Sequence, residues 1–466
     1  MASLNTAWEI TTSALRADQS ALATVANNTA NVSTPGYTQQ TVQWEESAPL
    51  RIDGVLVGSG VTDAGAVSQR DRVLNQAIDQ QTQAQASTAS RLVALDALQA
   101  TFAPTASGSA SSADISGSID SFFSSLQQLQ GTPADPSLRE AVISAADNLS
   151  ASFNTAASNL VAQQATLSGQ ATSTVTQING LSTAIAALNQ QIQSSSPSSD
   201  AGALEDQRQY DLQGLSKLIG IDTISTERNG LTITTTSGAV LVLGGQASAL
   251  TTGPSGGQTH IYDGATDITT QLATGGGQLG GLLQVRDGDI PNAMASLDTL
   301  ANALGTAVNN ANAAGSDANG AAGGAIFSLP AGLPGSALGI AVVVTDPLKI
   351  AAAASGDGVG DGSNAGVMAG IGQQAIVSGQ TPTDYYAGFV SSIGDLTSNV
   401  SASSIAQQAG LAQLTTQQSN LSTVSLDGEA TDLQNLEQAY GAASKVFTII
   451  NTLMGDAINL GTATTV

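Results

Sequence analysis

The sequence predicts a mainly α, multi-domain chain with β-rich insertions, and three observations carry that prediction. Each end holds an amphipathic segment whose apolar residues recur at helical spacing. Between them runs a long tract with leucine and isoleucine on neighbouring heptad lines. Only between roughly 222 and 271 does the apolar period fall to two, the mark of strands. At 466 residues the chain has room for two to four domains. Aromatics make up only 3%, so its cores must be thin and built from small aliphatic side chains, which suits packed helices and slender domains.

Leu4, Trp8, Leu15, Leu22, Val25 and Val32 form one stripe of an N-terminal helix, with Ala7, Ile10, Ala14, Ala17 and Ala21 as a smaller line beside it. Thr6, Thr11, Thr12, Thr24 and Thr29 are mediocre helix formers, so this segment needs a partner to be stable. The pattern breaks at Asn31-Val-Ser-Thr-Pro35-Gly36-Tyr37, where Pro-Gly signals a type II turn. Thr41 to Trp44 alternate as a short extended piece. Helix resumes over about 70–102, a Ser/Gly/Ala loop follows at 104–113, and another helix runs through Ile119, Phe122, Phe123, Leu126 and Leu129. After Pro133 and Pro136 comes the longest tract. Leu160, Leu167, Thr174, Leu181 and Leu188 share one line, and Ile178, Ile185 and Ile192 the next. Some fifty helical residues would reach about 75 Å, a rod.

Leu231–Thr234 and Ala239–Leu243 flank Ser237-Gly238 as a hairpin, and Gly253 to Gly257 make a further turn. Helix returns from Leu279 through Val308, loop from 315 to 325, a strand at Ile340–Val344, and loop again from Gly356 to Gly366. From Tyr385 onward the reading is helical. Leu426, Leu433, Tyr440, Phe447 and Met454 hold one heptad position; Leu436, Ala443, Ile450 and Ala457 hold the next; Ala439, Val446, Leu453 and Leu460 widen the stripe. Two uncovered helical faces at opposite ends of one chain are most simply satisfied by pairing. The expected organisation is therefore a discontinuous terminal helical domain (1–38 with 424–466), a helical rod (39–221, 272–316 and 366–423), a small β-rich domain (222–271) and a loop–strand insertion (317–365).

Charge narrows the function. Thirty-six acidic residues stand against 12 basic ones, a net charge of −24, while charged residues are only 10% of the chain. Such a surface repels phosphate backbones and anionic lipid heads, which argues against nucleic-acid and membrane-surface binding. Without cysteine there is no thiolate nucleophile and no disulfide, which fits an extracellular life. The N-terminus lacks the basic start and apolar core of a secretory signal, so any export is expected to use another route. No run of 18 apolar residues is present to span a bilayer. Gly253-Pro-Ser255-Gly-Gly257, with His260 and Asp263 downstream, spells a nucleophile elbow but sits among turn residues, where a surface hairpin is the better reading. The Asp357–Asn364 stretch reads first as a flexible acidic loop; a weak calcium site is the alternative, although Val359 and Met368 occupy positions where an EF-hand loop needs oxygen ligands. No cofactor is expected.

The segment Val25-Ala-Asn27-Asn28-Thr-Ala-Asn31-Val-Ser-Thr34-Pro35-Gly36-Tyr37 closely resembles the signature that ends the N-terminal helix of bacterial flagellar rod, hook and hook-associated proteins. The C-terminal Leu433 to Val446, with Glu-Gln-Ala-Tyr440-Gly-Ala-Ala-Ser-Lys445-Val446, resembles that family's closing helix. Asp135-Pro-Ser-Leu-Arg-Glu-Ala-Val142, Gly276 to Asp287, Val308 to Asn312, Asp317 to Gly320 and Asp346 to Ala351 are similar to the branch that sits directly on the hook. The resemblance implies structural work with no enzymatic activity. Subunits would be exported through the flagellar type III apparatus, assemble at the distal end of the hook as a helical homo-oligomer, and form the hook–filament junction outside the cell. Partners implied are hook protein, the second hook-associated junction protein and a cytoplasmic export chaperone on the C-terminal helix.

The residues expected at subunit interfaces are Leu4, Trp8, Leu15, Leu22, Val25, Leu433, Leu436, Tyr440, Phe447, Ile450 and Met454; Asn27, Asn28, Asn31, Pro35, Gly36 and Tyr37 form the family turn. The termini, near 1–35 and 425–466, are expected to order only on assembly, because one thin helix pair must offset about 1–2 kcal/mol of ordering entropy per residue. Competing readings are another axial subunit (hook or second junction protein) and an extracellular adhesin rod with a β-rich tip; an appendage-borne enzyme has little support.

Overall fold

The computed structural model describes residues 2–52, 55–102, 115–194 and 201–462. The loop expected at 104–113 and the Leu460 side chain lie outside the described residues. Along the chain, α1 (Ala2–Asn31) precedes four short strands, β1 (Gln40–Glu46), β2 (Leu50–Ile52), β3 (Val55–Val57) and β4 (Val61–Ser68). Next come α2 (Arg72–Phe102), α3 (Ile115–Gly131) and the 59-residue α4 (Pro136–Ser194). Asp135 caps α4 by accepting from the Ser137 N–H at 2.8 Å, and Pro136 occupies the first helical position, where its missing N–H costs nothing. After α5 (Gly202–Leu218) follow β5 (Ile221–Ser225), β6 (Leu231–Thr235), β7 (Val240–Leu243), β8 (Gln246–Ala247), β9 (Leu250–Ser255), β10 (Gln258–Asp263) and β11 (Thr266–Asp267). The chain then makes α6 (Thr269–Ala273), α7 (Gly277–Gln284), a π-helical turn at Val285–Asp289 and α8 (Ile290–Ala314). Short pieces β12 (Phe327–Ser328), α9 (Ser336–Gly339), β13 (Ala341–Val342) and α10 (Ser363–Gly370) lead to two long helices, α11 (Pro382–Ser422) and α12 (Leu426–Thr462). The fold is mainly α with β-rich insertions, as the apolar periods predict.

These elements form two compact units. One comprises residues 1–83, 177–250 and 408–466. Here α1 packs on α12 and against β1 and β4. Strands β1 and β4 are antiparallel, with Gln40 opposite Ser68 and Glu46 opposite Val61, and β2 and β3 continue as a hairpin. A four-stranded antiparallel meander, β5-β6-β7-β8, lies in the same unit. Asparagines on α4 hold the β segments by their backbone: Asn189 Nδ2 donates to the carbonyls of Leu231 and Gly244, at 2.7 and 2.9 Å. Asn179 exchanges two hydrogen bonds with the Leu250 peptide, as a neighbouring strand would. The isoleucine line of α4 (Ile178, Ile185, Ile192) is buried throughout.

The other unit comprises residues 84–176 and 251–407. Its core joins Leu95, Leu98 and Phe102 of α2, the apolar face of α3 from Ile115 to Leu129, Val142 to Leu160 of α4 and Leu297 to Val308 of α8. Phe122 meets Phe327 edge-on at 5.6 Å. Arg139 is fully buried and donates to the carbonyls of Pro133 and Ile350, which satisfies a charge that would otherwise be costly to bury. Asn309 accepts from the N–H groups of Ile326 and Phe327 and donates to the Phe327 carbonyl, and Asn312 donates to Gly324 while accepting from Ala351. A three-stranded sheet, β11-β10-β9, completes this unit.

Candidate functional site

The terminal helices lie side by side and antiparallel: Trp8 faces Phe447 with ring centroids 6.3 Å apart, Gln19 Nε2 donates to the Tyr440 hydroxyl, and Asn28 reaches Glu429. Small residues let the helices approach, since Ala17, Ala21 and Val25 are the buried apolar positions of α1. Leu4, Trp8, Leu15 and Leu22 are half-buried beside them. On α12, Ile450 is 8% exposed, Leu436, Tyr440, Phe447 and Met454 are half-buried, and Leu433 stays exposed. One seam of α12 is thus covered. The neighbouring line is not: Val446, Ile449 and Leu453, at helical steps of three and four, face solvent, with Ile449 60% exposed. A contiguous apolar line of α12 is thus left in water.

Beyond α1 the chain closes a turn in which the Tyr37 N–H donates to the Thr34 carbonyl at 3.2 Å. Pro35 occupies the second position and Gly36 the third with φ +80°, the left-handed geometry a type II turn requires there. A Cβ on Gly36 would also come within 3.2 Å of the Tyr210 Cβ. The three asparagines of this segment do different work. Asn27 is exposed; Asn31 donates back to the Asn27 carbonyl and accepts from Thr34 Oγ1. Asn28, 1% exposed, is the centre of the arrangement. Its Oδ1 accepts from the Gln40 N–H and the Tyr37 hydroxyl, and its Nδ2 donates to the Gln40 carbonyl and to Glu429 Oε1. A single amide thereby joins α1, the turn, β1 and the start of α12. Burial, followed by the negative charges of Asp206 and Glu429, pushes the Tyr37 phenol above its ordinary pKa, so it remains a donor.

Several residues of this site carry no signal in the terminal motifs. Glu429, 2% exposed, accepts from Asn28 and from Gln39 Nε2 in the first turn of α12, where the helix dipole favours a carboxylate. Ser425 caps that helix by accepting from the Gly428 N–H. Asp206 of α5 accepts from both the N–H and the hydroxyl of Thr38, at 2.9 and 2.8 Å. Arg70 pairs with Glu205 and, at 2.7 Å, with Asp206. In a chain with only 12 basic residues, each arginine and the adjacent Glu205-Asp206 pair are the signals the sequence offers for these contacts.

The other sequence candidates are elsewhere. Ser255 ends β9, and Gly256 and Gly257, both at positive φ, turn the chain directly into β10. No helix follows the serine, so the strand–turn–helix of an elbow is absent at this point. His260 Nδ1 lies 2.6 Å from Asp267, which also accepts from Thr269. Asp361 is engaged by the Ala354 and Ser363 N–H groups and the Ser363 hydroxyl. Among the described residues no three His, Cys, Asp or Glu side chains gather as a metal site, and no helix is long and apolar enough to cross a membrane.

Comparison with known proteins adds the following. A family model described as the flagellar hook-associated protein FlgK helical domain matches residues 105–327, and one described as flagella basal body rod protein matches residues 9–38, which contain most of α1 and the turn. The chain is 28% identical over 549 aligned positions to flagellar hook-associated protein 1 of Escherichia coli, covering 96% of this chain and 98% of that one. It is 27% identical to flagellar hook-associated protein 1 of Bacillus subtilis, with 96% of each chain covered. A 32% match to the Salmonella typhimurium protein of the same name covers 68% of this chain and 58% of that one. Among solved structures, the flagellar hook junction protein FlgK from Burkholderia pseudomallei superimposes with a TM-score of 0.68 at 20% identity, covering 75% of this chain and all of that one, a likeness of fold.

Proposed function

The chain belongs to the flagellar hook-associated protein 1 family, structural proteins of the bacterial flagellum, and on that premise we propose that it is a subunit of the hook–filament junction, assembled at the distal end of the hook after type III export. The single observation that carries this reading is the half-finished terminal bundle. α12 covers α1 with one seam and leaves Val446, Ile449 and Leu453 in water. Burying each such side chain contributes about 1.5–3 kcal/mol, which a ring of sister copies would recover. The segments 1–38 and 424–466 act as one assembly module, with Leu4, Trp8, Leu15, Leu22, Val25, Leu433, Leu436, Tyr440, Phe447, Ile450 and Met454 at or beside the contacts. Hook subunits adjoin it below and the second junction protein above. Before export, a cytoplasmic chaperone shields the same stripe of α12.

The test is genetic and microscopic. A labelled wild-type chain is expected as a single spot where hook meets filament. Ile449→Asp and Leu453→Asp, both at exposed positions, should leave the purified chain's melting temperature unchanged. Cells carrying only these variants should have bare hooks and flagellin spilled into the medium. Normal filaments on such cells refute the reading, and a surface-binding defect with intact motility favours an adhesin.

A further inference from the structure

The first unit carries a second apolar feature that the terminal helices leave unused. The β2–β3 hairpin pairs Leu50 with Val57 and Arg51 with Leu56. Strand side chains alternate, so Arg51 and Leu56 share one face and Leu50, Val55 and Val57 the other. Neither face is covered: Leu56 is 62% and Val55 64% exposed. A lone two-stranded hairpin is marginal in water, and one this apolar on both faces is a surface in want of an occupant.

A complementary surface lies in the same unit. α1, β1 and α12 enclose a groove of about 290 Å³ whose walls include Val25, Trp44 and Leu436. Asp432 lines it one helical turn before Leu436, on the same face of α12. The groove therefore offers a carboxylate beside an apolar wall, and the hairpin offers a guanidinium beside a leucine. The buried Glu429 carboxylate, which also lines the groove, adds to its negative potential. The two features are separate surfaces of the unit: Leu50, Arg51 and Val55 to Val57 line no part of the groove, and Val55 and Leu56 stay exposed. Gln40 of β1 is held by Asn28 at the groove, the β1–β4 ladder runs from there to Val61 beside Ser13, and the hairpin lies past that far end. Ser13 and Val25 are about 18 Å apart along α1. In this chain the hairpin does not occupy its own groove.

We propose that the β2–β3 hairpin of one copy seats in the α1–β1–α12 groove of the next, with Arg51 on Asp432 and Leu56 against Leu436 and Trp44. Knob and socket are different surfaces of the chain, so the contact is head-to-tail and can propagate, as a tubular assembly requires. The proposal rests on the self-assembly read above and names one of its contacts.

Because the chain has no cysteine, introduced thiols report cleanly. The full-length chain carrying R51C and D432C together is assembled on cells and treated with a short bis-maleimide. A ladder of covalent multimers is expected, with none from either single variant; assembled double-cysteine chains that give only monomer overturn the contact. As a second arm, Arg51→Glu and Asp432→Arg are each expected to lower the number of incorporated copies at least tenfold. Their combination should restore at least half of the wild-type number, and a combination no better than the single variants also overturns it. If the labelled wild-type chain is absent from flagella while the concentrated, purified double-cysteine chain still crosslinks into multimers, the contact stands and the junction reading falls.

Discussion

Replacing Asn28 by alanine tests whether one amide holds the terminal module together. The truncation removes the acceptor for the Gln40 N–H and the Tyr37 hydroxyl, and the donor to the Gln40 carbonyl and to Glu429. Tyr37 lies near enough to the surface to find water, and Glu429 keeps Gln39. The Gln40 peptide is left in a site sealed by a residue only 1% exposed. Two stranded, partly buried groups cost about 1–3 kcal/mol each, so the variant should lose about 2–6 kcal/mol. That loss falls on the docking of α1 and α12 and not on the core of the second unit. Hydrogen exchange read peptide by peptide is the assay: a loss near 3 kcal/mol accelerates exchange across α1 and α12 about a hundredfold. Asn27→Ala and Asn31→Ala, at the exposed and half-buried positions of the same motif, should each change it less than about threefold. If Asn28→Ala behaves like those two, the account of the amide as the junction of four segments is wrong.

The remaining expectations can be stated together. In dilute monomer, α1 and α12 should exchange far faster than the α3 and α8 core, gaining protection on assembly; full protection of both termini in a lone copy contradicts the assembly reading. Gly36→Ala adopts a strained φ and presses on Tyr210, so its melting temperature should fall by the equivalent of about 1–2 kcal/mol. Burial raises Asp79 to about 7, opposed only in part by the Gln209 amide. With the folded pKa above the unfolded one, its contribution to stability is complete below about pH 4 and is lost as pH rises towards 7. Asp79→Asn should therefore stabilise the chain at pH 8 by up to a few kcal/mol and leave it unchanged at pH 4, measured by urea melts at both. Ile450→Asp buries a charge in the helix seam and should unpair the termini while circular dichroism shows the second unit still folded.

The helices were legible because each buries a single stripe, and a stripe repeats. The lines through Ile178, Ile185 and Ile192, or Leu297, Leu300 and Leu304, can be read without knowing what covers them. The segment from 39 to 68 was legible only as a short extended piece at 41–44. Its strands are mostly exposed and break register between Val42 and Trp44, so no clean alternation survives in the residues. α5 was not separately visible, since Glu205 and Asp206 are buried by pairing with Arg70 and give its inner face the look of an outer one. The expected strand at 340–344 shrinks to Ala341–Val342 because, among the described residues, the strand it pairs with is the two-residue β12. At the site, the family turn announced itself, but which of its asparagines is buried did not. That depends on how α1 is rotated against β1, a tertiary fact, and Glu429 enters from some four hundred residues away.

The clasps at Asn179, Asn189, Asn309 and Asn312 have a consequence for where such a molecule can work. A carboxamide holding a peptide group has no proton to gain or lose over the biological pH range, and dissolved ions do not weaken its grip as they weaken pairs of opposite charge. At these four points the fold is fastened by contacts whose hold does not change with the acidity or salinity of the surrounding fluid.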